Sequence, residues 1–144
     1  MKAISLWQPW ATLMCDAASK RVETRSWHTS HRGDLVICAS KRKPSLAEFG
    51  GSAMDYQKML SVVPFGAAVC VVSLYDCRPV EEVVKMEWFN DTERSNGDYT
   101  EGQGRFGWIT KGLRVLKQPV PVIGRQGLWN LPPETEVLVR AQLP

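Results

Sequence analysis

The order of apolar and polar positions divides the chain into short elements. Ala3-Ile4-Ser5-Leu6-Trp7 is an apolar run that predicts a strand, turning into a helix at Gln8-Pro9-Trp10. Pro9 suits a first helical turn, where its missing N–H costs nothing. Ala11 to Ala18 can carry one or two further turns. A polar break, Asp16 to Lys20, then leads into Arg21 to Trp27, which has period two. Glu23, Arg25 and Trp27 fall on one face of that strand, and Val22, Thr24 and Ser26 on the other. A strand that only had to bury one face would not put two charges beside a tryptophan. After the turn at Arg32-Gly33, Leu35-Val36-Ile37 is continuously apolar, the signature of a strand buried on both sides.

Further along, Lys41 to Pro44 reads as a loop. Ser45 with Glu48 three residues later forms a capping box for a helix from Leu46, which Gly50-Gly51 interrupts. Met54 to Leu60 suggests a second short helix, closed by Pro64 and Gly66. Ala67 to Tyr75 is the clearest central strand. Val80, Val83, Val84 and Trp88 have helical spacing across Glu81 to Phe89. Asn90 to Gln103 is polar and without apolar period, so it reads as a long mobile loop, a kind of segment that is often functional. A strand begins at Phe106 and continues through Gly112 to Leu116 with a bend at the glycine. Val120 to Ile123 is strand-like, Gly124 to Gly127 a turn, Leu128 to Leu131 a short segment, and Glu136 to Gln142 a last strand. About six strands with two or three helices predict an α+β fold around a curved, mainly antiparallel sheet.

Composition narrows the class. A chain of 144 residues, 44% of them apolar, fits one domain spanning residues 1–144 with a real core. Met1-Lys2 leads into a strand rather than a signal peptide, and no run has the length of a transmembrane helix, so a cytoplasmic protein with no membrane partner is expected. The net charge of +3 permits a nucleic-acid partner without demanding one. The distribution says more: Lys20, Arg21, Arg25, Arg32, Lys41, Arg42 and Lys43 all lie in the first third. The four cysteines have no C-x-x-C spacing and read as free thiols; neither a metal nor a cofactor is expected. No P-loop, dinucleotide fingerprint or Ser-His-Asp order is present.

Three sets of residues could carry chemistry. Lys20 and Arg25 can meet a phosphate or a base acceptor. Glu23 can accept from an exocyclic amine. Trp7, Trp10 and Trp27 can stack on a base, whereas Trp108 and Trp129 stand in apolar strands and read as core. The bland alternative for Glu23 and Arg25 is an ordinary cross-strand ion pair, worth under about 1 kcal/mol when exposed.

The pattern Ser5-Leu-Trp-Gln-Pro-Trp-Ala11, followed by Lys20-x-x-Glu23-x-Arg25-x-Trp27, Arg32-Gly33 and an apolar strand, resembles the ASCH (activating signal cointegrator homology) family of PUA-like folds. A second match runs through Gly104-Arg-Phe-Gly-Trp108, Leu113-Arg-Val115, Pro119-Val-Pro121 and Gly124 to Trp129. The resemblance implies a PUA-like β-barrel. It also implies a cleft between the first helix and the barrel that holds RNA or a nucleotide or nucleoside, with Trp7, Gln8, Trp10, Lys20, Glu23, Arg25 and Trp27 as the candidate binding residues. Some small members are amidohydrolases on N4-acetylcytidine, with a Lys-x-x-Thr pattern and a later Glu. Lys20 matches the lysine, but Glu23 replaces the threonine nucleophile, so catalysis here would need Glu23 to activate a water. Other members are metal-independent ribonucleases, for which His28 or His31 would be the proton shuttle. A third alternative is a protein-interaction module.

Overall fold

The computed structural model describes residues 1–144. The elements in order are β1 (Lys2–Leu6), α1 (Trp10–Leu13), β2 (Val22–Arg25), β3 (Gly33–Ala39), α2 (Leu46–Phe49) and α3 (Ala53–Val62). They continue with β4 (Ala67–Pro79), α4 (Val80–Val83), α5 (Asp91–Ser95), β5 (Phe106–Pro121), β6 (Leu128–Asn130) and α6 (Pro133–Ala141). The six strands form one sheet in the order β2-β5-β4-β3-β1-β6. Only β1 and β3 run parallel.

The sheet is curled into a half-barrel. Three strands separate β2 from β1 in the sheet order, yet Arg25 at the end of β2 donates Nη2 to the Ser5 carbonyl of β1 at 2.9 Å. The curl has a local origin. The β4–β5 ladder slips register at three places, between Ala68 and Cys70, Val71 and Ser73, and Leu74 and Asp76. Each irregularity adds twist and bend to a long strand pair. Gly112 lies beside one of these slips at φ 63°, a left-handed conformation that glycine adopts without steric cost.

The continuous apolar runs are buried on both sides, as their pattern predicts. On β1 and β3, Ile4, Leu35 and Ile37 face the inside of the curl with Leu74, Met14 and Trp108. Ala3, Val36 and Cys38 face outward onto Val71, Trp129 and α6 residue Val139. Trp108 is fully buried and packs edge-on against Trp27, ring centroids 4.6 Å apart, so Trp108→Ala should cost about 3–5 kcal/mol. Trp129 is also buried, so both tryptophans expected in the core are there.

The capping box at Ser45 and Glu48 forms as the sequence predicts, and Gly50 closes α2 at φ 77°. Three expectations are corrected. Helical segments number six rather than two or three, because several are single turns too short to show a period. Glu136 to Gln142 belongs to helix α6, not to a strand. Its run Val137-Leu-Val139 looks strand-like, but Pro133 at the start, acids in the first turn and Arg140 in the last are helix-terminus signals that prevail. Asn90 to Gln103 is not a free loop. It carries α5, begun by the Asn90 side chain accepting from the Glu93 N–H at 2.9 Å, and it buries Glu93 and Tyr99. Two anchors six residues apart, one of them charged, leave no apolar period to read.

No helix is long and apolar enough to cross a membrane. All four cysteines are free thiols.

Candidate functional site

The mouth of the half-barrel lies where β1 runs into α1, opposite the end of β2. Here the alternation of β2 does what its pattern implies: Val22 and Thr24 are buried, while Glu23 and Arg25 are half-buried and turned toward a cavity. The cavity has a volume of about 620 Å³. Trp7, Trp10 and Trp27 contribute to its walls, and Glu23, Arg25, Asp98 and Arg105 supply its charges. A space of this size takes a nucleoside-sized ligand.

Arg25 is at the centre. Its Nε and Nη2 donate to Glu23 Oε2 at 3.2 and 3.0 Å, and Nη2 also donates to the Ser5 carbonyl. Nη1 has no protein partner, so its N–H groups stay available. The other carboxylate oxygen, Glu23 Oε1, lies 3.5 Å from Lys20 Nζ. Glu23, whose side chain is 12% exposed, is therefore held between two cations.

Two candidate residues are not in the cavity wall. Lys20 reads from the sequence as part of an exposed polar turn, but its side chain is only 1% exposed. Its ammonium donates to the Val22 carbonyl at 2.6 Å and the Asn96 carbonyl at 2.7 Å. The segment after α5 folds over it, so that two carbonyls accept from the ammonium and Glu23 adds an ion pair. Lys20 acts on the site only through Glu23 and the Asn96 rim. Gln8 is also fully buried. Its amide donates to the Pro64 carbonyl at 2.8 Å, and its side-chain oxygen accepts from the Thr12 N–H at 3.0 Å. It fastens α1 to the chain ahead of β4. The Gln8–Pro9 peptide is cis, and Pro9 caps α1 rather than sitting within its first turn. His28 stacks edge-on on Phe106, and His31 contacts the Asp34 carbonyl; neither lines the cavity.

The rim from Ser95 to Asp98 falls within the loop that the sequence marks as a candidate functional segment, although no single residue in it is singled out there. Thr24 Oγ1 accepts from the Asp98 N–H at 3.0 Å, and Arg105 Nε donates to the Asp98 carbonyl at 3.0 Å. Gly97 permits this closure, since a Cβ there would come within 2.8 Å of the Tyr99 ring. Hydrogen bonds from the Thr100 hydroxyl and N–H hold the Asp98 carboxyl below the usual carboxylate range. Asp98 thus stays ionised opposite Arg105 well below neutral pH. No group of three or more His, Cys, Asp or Glu side chains is gathered as a metal site would require.

A curled six-stranded sheet with a tryptophan-walled, arginine-centred cleft at its mouth defines a PUA-like α+β protein. Within that class the chain belongs to the ASCH family, whose domain model matches residues 4–112. It is 31% identical over 135 residues to activating signal cointegrator 1 of Homo sapiens, and 30% identical to that of Mus musculus. Each alignment takes in 89% of this chain and 22% of the relative, so the chain spans about a fifth of the length of the curated relatives it matches. The crystal structure of ASCH from Zymomonas mobilis has the same fold, with a TM-score of 0.61 at 14% identity, covering 99% of this chain and 95% of that one.

Proposed function

We propose that the cleft binds RNA or a nucleotide, with Arg25 as the recognising group, Glu23 as its positioning residue and the tryptophans as stacking surfaces. The observation that carries this reading is Arg25 itself: it is clamped through Nε and Nη2, unpaired at Nη1, and set among Trp7, Trp10 and Trp27 at the cavity. An arginine pre-oriented in this way matches a phosphate or the acceptor edge of a base. A concave site walled by aromatic rings supports it over a flat protein-interaction surface.

Binding is favoured over hydrolysis. Glu23 stands where a threonine nucleophile would be, and its two oxygens face Arg25 and Lys20 rather than a free water site. The histidines that a ribonuclease would use lie elsewhere. The test is a titration with cytidine monophosphate and with single-stranded RNA, read by tryptophan fluorescence. Saturable quenching is expected, and Arg25→Ala should weaken binding roughly 10- to 150-fold, the 1.5–3 kcal/mol of a hydrogen bond to a charged group. Absence of saturation with any nucleotide or RNA overturns the reading. A parent protein that hydrolyses N4-acetylcytidine, and loses about 10²–10⁴-fold in rate as Glu23→Gln, restores catalysis instead.

A further inference from the structure

A second cavity, of about 650 Å³, opens directly beside the first. The two share Ser5, Trp7, Arg25 and Trp27, so they are compartments of one groove with Trp7 and Arg25 at the divide. The far side of the second compartment is built by Ser40 to Arg42, following β3, and by the loop Ile123 to Gly127 between β5 and β6.

The compartments differ in charge. In the first, two acids face two arginines and each is paired: Glu23 with Arg25, and Asp98 with Arg105. The second is lined by Arg25, Lys41, Arg42 and Arg125, and no acid is in its wall. Of these cations, the Glu48 carboxylate reaches only Arg42, at 2.8 Å. Lys41 and Arg125 are exposed and make no ion pair. Arg42, held by Glu48, lies with its guanidinium carbon 3.9 Å from the centroid of the Trp7 ring. Trp7 is 45% exposed, unusual for so large an apolar side chain.

A neutral, aromatic compartment opening past a tryptophan into an acid-free basic one suits two chemically different parts of one ligand. The first takes an uncharged ring. The second takes negative charge, on the far side of the divide formed by Trp7 and Arg25. We infer that the second compartment is a phosphodiester subsite, so that the ligand is a single-stranded oligonucleotide rather than a free nucleoside or mononucleotide. The base sits in the first compartment, and the strand leaves past Trp7 and Arg25 toward Lys41 and Arg125. This rests on the nucleotide-binding reading of the first compartment and adds to it the class of ligand.

The test compares cytidine, cytidine 5′- and 3′-monophosphate and a labelled oligocytidylate of about six nucleotides, a length within the usual single-strand footprint. The parent should bind the oligonucleotide at least tenfold more tightly than either monophosphate. In the double variant Lys41→Ala/Arg125→Ala, oligonucleotide affinity should fall about tenfold, and the slope of log affinity against log salt should drop in magnitude by about 1.4, two phosphates' worth. Cytidine affinity should not change, which also reports that the variant is folded. Equal affinity for monophosphate and oligonucleotide overturns the subsite while leaving the first compartment's role intact. So does an unchanged salt slope in the double variant. Failure of every ligand to bind overturns both.

Discussion

Lys20 is buried with its ammonium hydrogen-bonded to two carbonyls and lying 3.5 Å from the Glu23 carboxylate. Lys20→Ala would leave the Val22 and Asn96 carbonyls without their donor and Glu23 without one of its cations. Removing one member of a buried, hydrogen-bonded charge cluster costs about 3–5 kcal/mol. Denaturant unfolding should therefore show Lys20→Ala far less stable than the parent, and an unchanged midpoint would mean that the ammonium is replaceable by water. The cysteines also separate by environment. Burial pushes the Cys38 thiol up to about 12, and Cys70 is raised too, chiefly by the neighbouring Cys15 thiol and then by burial. The neighbouring Cys70 thiol holds the Cys15 thiol below its ordinary value, and Cys15 is also the only one of the four that is half-buried rather than buried. Alkylation followed by peptide mapping should find Cys15 modified well before Cys38 or Cys70. At this scale the strand alternation put Glu23 and Arg25 on one face of β2, but the strand ends at Arg25, before Trp27, and Thr24 and Ser26, read as the opposite face, also line the cavity. It misjudged Lys20 and Gln8, because partners that bury a polar side chain come from segments 56 to 76 residues away.

The segment from Asn90 to Tyr99 works as a strap over the free edge of β2. An edge strand exposes unpaired N–H groups, and proteins usually shield them. Here a side chain does so: the Glu93 carboxylate accepts from the Arg21 N–H at 3.1 Å and the Val22 N–H at 2.9 Å. Arg21 reaches back to stack on Trp88 at 4.2 Å, and Asn96 Nδ2 donates to the Ser19 carbonyl at 2.8 Å. Glu93→Ala leaves two edge donors without an acceptor and should cost about 2–6 kcal/mol, at about 1–3 per unsatisfied group. Hydrogen exchange should show faster exchange at Arg21, Val22 and the strap, with β3 and β4 little affected. Equal acceleration across the sheet would show that the strap is not a separate unit. Nothing in the local pattern announced it, since a buried glutamate and a lone tyrosine look like loop composition. The helix α2, in contrast, was readable because its capping box lies within four consecutive residues.

Across the whole molecule, the first and last parts of the chain close one another. The sheet has β1 between its parallel partner β3 and its antiparallel partner β6, with Ala3 opposite Trp129 and Ile4 opposite Leu128. The Met1 ammonium pairs with Glu136 of α6, and the Leu131 N–H bonds to the Met1 carbonyl at 2.9 Å. The family match ends at residue 112, while β6 and α6 lie beyond it and cover the outer core. The sequence showed a curved sheet but not this closure, because pairing between distant strands leaves no mark in either one.

That arrangement also has a meaning in time. During synthesis β1 leaves the ribosome before every other strand of this sheet, and the strand that covers its second edge leaves after all of them. Until Leu128 to Asn130 emerge, one side of β1 stays open to any other extended chain. Folding should therefore be slow for a protein of this size, in the millisecond-to-second range of folds dominated by distant pairings. A nascent chain arrested after Pro121 should be held by chaperones or aggregate, while one in which β6 and α6 have also emerged should fold.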